Sequence, residues 1–254
     1  MGWSVKRRCW RHSDPGCDVK ICVIGTSHLG ALKLGWDMVR GDFPDLELVF
    51  FGSPGTSLRQ MRTKGTRLVA DDEELARNLA FTSGGLSEIV IAEYDAFLLY
   101  GVLFRFPRLR RGISMAVLQE AVQGLASKGL LIRTAKRMRR LTSKRLWLSA
   151  NPLEMAPDDC HEAAEFHSYD MLLGAVQRAF VVPDVVFLPQ PAETIGPDLR
   201  APARFGVGSQ KLLPNPETGD SEAHAAKDVA HMNGEFGKLW LQANLPVIRA
   251  HTLR

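Results

Sequence analysis

The chain has 254 residues, of which 45% are hydrophobic and 24% are charged. This length and composition are sufficient for a sizeable buried core, so a disordered or low-complexity chain is excluded. The formal net charge of +4 is small for a chain of this length, and we do not expect a nucleic-acid partner.

The cysteines and the N-terminal segment indicate the compartment. The cysteines form no C-x-x-C pair and no regular framework, which argues against a zinc site or a disulfide scaffold and favours reduced thiols. Residues 1–18 are basic and lack the apolar centre of a signal peptide, so we expect a basic arm, with disorder as one option. No segment has the roughly 20 apolar residues of a membrane-spanning helix. We therefore predict a cytoplasmic protein.

The first elements along the chain suit a parallel sheet. Val19–Gly25 is β-branched and ends at glycine, which is typical of a buried strand, and a helix is predicted at His28–Val39. A second strand is predicted at Leu46–Phe51. Gly and Pro then interrupt regular structure at 52–57, so we expect a shaped loop at the sheet edge where α/β proteins bind ligands.

The middle of the chain continues the alternation. Acidic residues begin a helix predicted at Asp71–Ala80, and a third buried strand follows at Ala96–Tyr100. Helical periodicity covers 114–141, and a strand is predicted at Leu146–Ser149.

The last part of the chain contains a long irregular segment. A helix is predicted at Asp158–Phe180 and a strand at Asp184–Leu188, and the Pro- and Gly-rich residues 191–222 should be irregular before helical periodicity returns at Lys227–Ala243. Because strands alternate with helices, we expect a parallel sheet of about five strands in a three-layer α/β/α sandwich. Residues 19–254 are predicted to form one domain.

Ser27 is a candidate nucleophile at the first turn from strand to helix. Gly25 permits a tight turn there, which would place the Ser27 hydroxyl and its backbone N–H at a helix N-terminus. That N–H could stabilise an oxyanion. The alternative is that Thr26 or Ser27 only caps the helix.

Asp228 and His231 are a candidate orienting carboxylate and base. Their separation of three residues brings two side chains to one side of a helical turn or tight loop. Such an aspartate can hold the imidazole in the tautomer that accepts a serine proton. The alternative is a surface cap beside an unrelated histidine.

Four blocks of this sequence resemble the ordered motifs of the SGNH, or GDSL-type, hydrolases. They are Gly25-Thr26-Ser27, the loop 52–57, the strand end at Gly101, and the segment 228–237, which reads Asp-Val-Ala-His-Met-Asn-Gly-Glu-Phe-Gly. The resemblance implies a flavodoxin-like three-layer domain that cleaves esters, with Ser27 as nucleophile, His231 as base and Asp228 as its orienter. It also implies that the N–H of Gly55, or otherwise of Gly52, joins the N–H of Ser27 in the oxyanion hole.

Two positions depart from the family pattern. Thr26 stands where the family has aspartate, and the third block reads Gly101-Val-Leu103-Phe instead of Gly-x-Asn-Asp. We expect Gly101 and Leu103 to border the binding site, but Leu103 cannot donate a side-chain hydrogen bond. Loss of one such donor costs on the order of a hundredfold to a thousandfold in rate. Asn151 and Arg59 are candidates to complete the hole.

Two further groups of residues are candidates for ligand binding. Glu165 and His167, with His161 and Glu162, are spaced like one face of a helix, and we interpret them as a solvated helix face rather than a metal site. Basic clusters lie at 105–111 and 136–145. The first should border the mouth of the site and attract an anionic substrate, while the second should be a solvated face or contact an acidic surface.

The sequence therefore predicts an esterase that needs no metal and no organic cofactor and acts on a small-molecule or glycan ester, with an acetyl ester as one option. A weakly active or inactive domain that binds carbohydrate or protein is the alternative that Leu103 suggests. A phosphate- or nucleotide-binding protein is a third alternative, although the first strand is followed by neither of the usual phosphate-binding glycine motifs.

Overall fold

The computed structural model describes residues 19–155, 165–196, 198–213, 219 and 221–252. The predicted N-terminal arm lies outside these residues. The elements in chain order are β1 (Val19–Gly25), α1 (Leu29–Val39), β2 (Leu46–Gly52), β3 (Met61–Lys64), β4 (Arg67–Ala70), α2 (Glu73–Ser83), β5 (Glu88–Val90), β6 (Ala96–Tyr100), α3 (Met115–Lys128), α4 (Leu130–Leu141), β7 (Arg145–Ser149), α5 (Tyr169–Ala179), β8 (Val185–Phe187) and α6 (Gly234–Thr252).

The main sheet is parallel, with the strand order β2-β1-β6-β7-β8. This confirms the prediction of a five-stranded α/β sandwich, and the order is the flavodoxin-like one. The chain leaves β1 toward β2 and later returns as β6 on the other side of β1. The switch point lies between β1 and β6, so their carboxyl ends form the crevice where this architecture binds ligands.

Burial on both faces explains the uninterrupted apolar composition of the central strands. Every residue of β6 is buried, as are all residues of β1 except Lys20. Parallel strands covered by helices on both sides require this pattern. It is also why their bounds could be predicted to within one residue.

Two glycines bring α1 and α6 into direct backbone contact. A Cβ on Gly237 would collide with the carbonyl of Ala31, and one on Gly35 would collide with the backbone of Gly237. Only glycine therefore permits this approach of the helices. The contact holds the start of α6 against α1, and with it the loop that carries Asp228 and His231.

A second, antiparallel sheet of order β3-β4-β5 was not predicted. Its strands have only three or four residues, and the buried side chains in them are Met61, Leu68 and Ile89. Such short, mostly exposed strands lack a clear apolar alternation. Their pairing depends on tertiary contacts instead.

The helix predicted at Asp158–Phe180 is wrong over residues 165–168. Those residues are extended and pair with the loop after β6, since the N–H of His167 donates to Leu109 O at 2.9 Å and that of Arg111 to Glu165 O at 2.9 Å. The helix α5 begins only at Tyr169, after Ser168, whose hydroxyl accepts from the N–H of Met171. The predicted residues 158–164 lie outside the described part.

The last predicted helix begins later than expected. Residues 227–233 form an irregular loop, and α6 runs from Gly234 to Thr252, through Pro246. The side chain of Asn233 accepts from the N–H of Phe236 at 3.2 Å and donates to the carbonyls of Arg204 and Val207 at 2.9 Å. Asn233 thus fixes both the start of α6 and the neighbouring loop. Among the described helices, none is long and apolar enough to span a membrane.

Candidate active site

The turn after β1 is fixed by contacts with the end of β6. A Cβ on Gly25 would collide with the carbonyl of Tyr100, so this position requires glycine. The buried Thr26 hydroxyl donates to Gly101 O at 2.5 Å. Thr26 therefore joins the two strand ends at the switch point, and the next residue, Ser27, is presented at the crevice.

Ser27, His231 and Asp228 are hydrogen-bonded in series. His231 Nε2 lies 2.8 Å from Ser27 Oγ, and His231 Nδ1 lies 2.8 Å from Asp228 Oδ2. An ionised carboxylate only accepts, so Nδ1 carries the proton and Nε2 accepts from the serine hydroxyl. The helix cap is a different residue, His28, and it makes no side-chain cap bond. This geometry argues against the interpretation of Ser27 as a simple cap.

The loop holds Asp228 through its other carboxylate oxygen. Oδ1 accepts from the N–H groups of Ala230 at 2.8 Å and His231 at 2.9 Å. Partial burial opposes ionisation, but the hydrogen bonds from the ring and backbone of His231 and from Ala230 outweigh it and lower the pKa of Asp228 to about 2. Asp228 is therefore ionised at neutral pH and oriented by its own turn.

His224 was not identified from the sequence. Its ring stacks on that of His231 with centroids 3.8 Å apart and planes 6° apart, and its Nδ1 lies 3.4 Å from Asp228 Oδ2. Burial lowers the pKa of His224 below its ordinary value, and His231 lowers it further while Asp228 opposes this. The spacing of four residues from Asp228 was the available signal, but the surrounding irregular segment gave no reason to place the ring there.

His28 and Asn151 form a second support beside His231. The His28 ring is buried, stacks on His231 at a centroid distance of 5.0 Å, and has its Nε2 3.0 Å from Asn151 Nδ2. Burial, and to a smaller extent the charges of His231 and Arg105, lower the pKa of His28 to about 3. His28 is therefore neutral at neutral pH. No role was assigned to it from the sequence.

Asn151 also holds the loop after β6. The side-chain Oδ1 of Asn151 accepts from the N–H of Phe104 at 3.1 Å, and the backbone N–H of Asn151 donates to Phe104 O at 2.7 Å. Since only Oδ1 can accept from an N–H, the amide orientation is fixed and Nδ2 must face His28. Asn151 thus connects the strand end of β7, the loop after β6 and the histidine next to Ser27.

An open cleft of about 600 Å³ adjoins these residues. It is lined by Ser27, His28, Leu103, Phe104, Arg105, Gly124, Leu125, Lys128, Gly129, Asn151, Ala230 and His231. Leu103 is 37% exposed and has a left-handed φ of 52°, a conformation uncommon for residues other than glycine. Leu103 therefore forms part of the lining of this cleft.

Gly101 also has a left-handed φ of 58°. A Cβ there would lie 2.9 Å from the Cβ of His28, so the residue permits the close packing of the β6 end against His28. It is not among the residues that line the cleft. Gly101 therefore affects the site through its packing against His28, without lining the cleft itself.

The predicted oxyanion donors have different surroundings. The N–H of Ser27 donates to no acceptor among the described residues, whereas that of Gly52 donates to Thr82 Oγ1 at 2.9 Å and is occupied. Gly55 lies in an exposed turn with φ 59° and is not among the residues lining the cleft. Asn151 lines the cleft and Arg59 does not.

Three side chains here could be considered as metal ligands. His224, Asp228 and His231 offer ligand atoms within 4.8 Å of one another. The two rings are nearly parallel, however, so the in-plane lone pairs of corresponding nitrogens run side by side rather than converging on one ion at about 2.0–2.1 Å. The arrangement fits hydrogen bonding better than chelation.

The other residues that were considered for a metal site have different partners. Glu165 pairs with Arg111 at 3.1 Å, and His167 is buried with its Nε2 3.0 Å from Ile113 O. The predicted helix is wrong here, because the segment is extended. Glu165 is exposed, as expected for a solvated residue, whereas His167 is buried. His161 and Glu162 lie outside the described residues.

The two basic clusters differ in their surroundings. Of the first cluster, Arg105 lines the cleft, whereas Arg108, Arg110 and Arg111 are not among its lining residues. In the second cluster several side chains donate to backbone carbonyls: Arg137 to Met61, Arg139 to Lys144, and Lys144 to Tyr94. These cations support the packing of α4, so part of the cluster has a structural role.

Comparisons with known proteins do not identify a family. The sequence matches no protein-family model and no curated protein. Solved structures that align include the periplasmic domain of a lipopolysaccharide acetyltransferase of Salmonella ser. Paratyphi A, with 12% identity, a TM-score of 0.46, and coverage of 92% of this chain and 86% of the other. A carbohydrate acetylesterase family member from Sinorhizobium meliloti aligns with 13% identity, a TM-score of 0.43, and coverage of 93% and 100%. At these scores no activity is transferred to this chain.

Proposed function

We propose that this protein is a serine hydrolase of the SGNH type that cleaves an acyl ester, an acetyl ester being one option, through an acyl-enzyme. The observation that carries the proposal is the hydrogen-bonded series Ser27, His231 and Asp228, with both distances at 2.8 Å. Its position at the switch point of the parallel sheet supports the same conclusion.

In the first half of the reaction Ser27 Oγ attacks the carbonyl carbon while its proton passes to His231 Nε2. The tetrahedral intermediate then breaks its bond to the leaving oxygen, which takes the proton from Nε2, and an acyl-serine remains. Asp228 stabilises the imidazolium that exists between these two proton transfers. In the second half a water gives a proton to Nε2 and attacks the acyl carbon. The bond to Ser27 Oγ then breaks, Oγ takes the proton back from Nε2, and the acid is released.

The developing oxyanion requires donors. The N–H of Ser27, which has no acceptor among the described residues, is the first, and the N–H of Gly55 is the proposed second. Asn151 is the alternative, since it lines the cleft and its Nδ2 has a second proton besides the one directed to His28. Leu103 supplies no side-chain donor, so we expect a slower enzyme than one with a complete hole.

Hydrolysis of p-nitrophenyl acetate tests the proposal directly. Ser27→Ala and His231→Ala should each lower kcat by at least about a thousandfold, because the members of a triad act as a unit. A native circular dichroism spectrum and melting curve control for folding. Activity within a few-fold of the unsubstituted protein in either folded variant would contradict the assignment.

A binding protein on the same scaffold is the second candidate, and Leu103 is the observation that favours it. Such a protein would bind carbohydrate or a protein partner in the cleft without turnover. It would leave p-nitrophenyl acetate intact while still binding its ligand after the Ser27→Ala substitution.

A further inference from the structure

We propose that the substrate ester carries an anionic group, and that Lys128 binds this group at the wall of the cleft. The inference rests on the proposed function, because it concerns the cleft that Ser27 and His231 line. It adds a substrate class to the reaction.

The described residues that line the cleft include cations and no acid. Arg105 and Lys128 carry positive charge, and in the part of the chain that the structure describes no aspartate or glutamate lines the cleft. A concave surface with one sign of charge concentrates ligands of the opposite sign. The nearest carboxylate that the site uses, Asp228, is already hydrogen-bonded to His231 and to two backbone N–H groups.

The two cations are not equivalent. Arg105 forms an ion pair with Glu154 at 2.9 Å, so its charge is partly compensated. Lys128 forms no ion pair or hydrogen bond with any described residue of the chain. A lysine in the last turn of α3 also complements the helix dipole, so the presence of Lys128 does not by itself indicate a ligand. What indicates an anionic ligand is its position in the cleft that Ser27 also lines, where no described lining residue is a carboxylate.

The same cleft exposes apolar side chains. Leu103 and Leu125 are 37% and 46% exposed. A ligand that covers them while reaching Lys128 must have both an apolar part and a negative charge. An aromatic or acyl ester with a remote carboxylate or phosphate has this chemistry, and the ester group itself stays uncharged for attack by Ser27.

The test compares two esters that differ only in charge, 4-acetoxybenzoate and 4-acetoxybenzamide, in the full-length chain. Release of the phenol gives kcat/KM for each, and the anionic-to-neutral ratio is the readout. Lys128→Gln should lower this ratio about two- to fivefold, the size expected for a solvent-exposed ion pair. Added salt should lower the ratio of the unsubstituted protein toward that of the variant.

Lys64→Gln is the matched control. Lys64 is exposed on β3 and does not line the cleft, so the same loss of charge there should leave the ratio unchanged. Hydrolysis of both esters with a ratio that Lys128→Gln does not change would overturn this inference alone. If neither ester is hydrolysed and p-nitrophenyl acetate is also left intact, the proposed function fails first and this inference with it.

Discussion

His224 extends the site at the residue scale beyond the three side chains that the resemblance indicated. Its ring covers one face of His231, while His28 stacks on His231 at a longer distance. His231, the proposed base, is therefore held by ring contacts as well as by Asp228. Proton transfer depends on the direction of Nε2, so this packing should matter for kcat.

Removal of the His224 ring should slow turnover without loss of the fold. We expect His224→Ala to lower kcat about tenfold, because His231 can then rotate away from Ser27, with a smaller effect on KM. His224→Phe keeps a stacked ring and should restore most of the rate. Steady-state kinetics with p-nitrophenyl acetate measures both variants.

The pH profile separates stacking from charge. Because burial lowers the pKa of His224, the ring is neutral at neutral pH, and His224→Phe removes no charge there. Its profile of kcat/KM above about pH 6.5, the ordinary histidine value, should match that of the unsubstituted protein. A His224→Phe enzyme as slow as His224→Ala would show that stacking is not the function of this residue.

At the scale of elements, the loop after β6 borders the cleft in which we propose that an oxyanion forms. Its N-terminal part is held by Asn151 and by the Thr26 bond to Gly101, so it is anchored on both neighbouring strands. Within it Leu103 has a left-handed backbone at the cleft. This conformation costs an ordinary residue roughly 1–2 kcal/mol, and asparagine tolerates it better than leucine.

Leu103→Asn should therefore improve both the backbone and the chemistry. The new amide is a candidate oxyanion donor at the cleft. We expect kcat to rise about tenfold or more, a smaller gain than a donor positioned by evolution provides. The melting temperature should not fall. Leu103→Ala is the control, since it removes the side chain without adding a donor, and equal rates in the two variants would contradict this expectation.

At the scale of the whole molecule, the parts fixed by local pattern were predictable and the parts fixed by long-range packing were not. The continuous apolar runs of β1 and β6 indicated buried parallel strands, and their positions in the chain implied the three layers. The strands β3 to β5 have no such signal. Residues 165–168 pair with a loop more than 50 residues away, which no helical periodicity could reveal.

The candidate site shows the same division. Ser27, Asp228 and His231 were predicted from short motifs together with the resemblance of their order along the chain to the SGNH hydrolases. His28, Asn151 and His224 contribute through contacts with residues distant in the sequence or inside an irregular segment. The sequence alone does not exclude Gly52 as an oxyanion donor in place of Gly55. The hydrogen bond from the N–H of Gly52 to Thr82 occupies that donor and favours Gly55.

The central claim is that Ser27 is a nucleophile activated by His231, and covalent labelling tests it most directly. Intact-mass spectrometry after exposure to a fluorophosphonate should show one adduct per chain, located at Ser27 by peptide mapping. The adduct should be absent in Ser27→Ala and form far more slowly in His231→Ala. An unlabelled, folded protein, or labelling that persists in Ser27→Ala, would contradict the account.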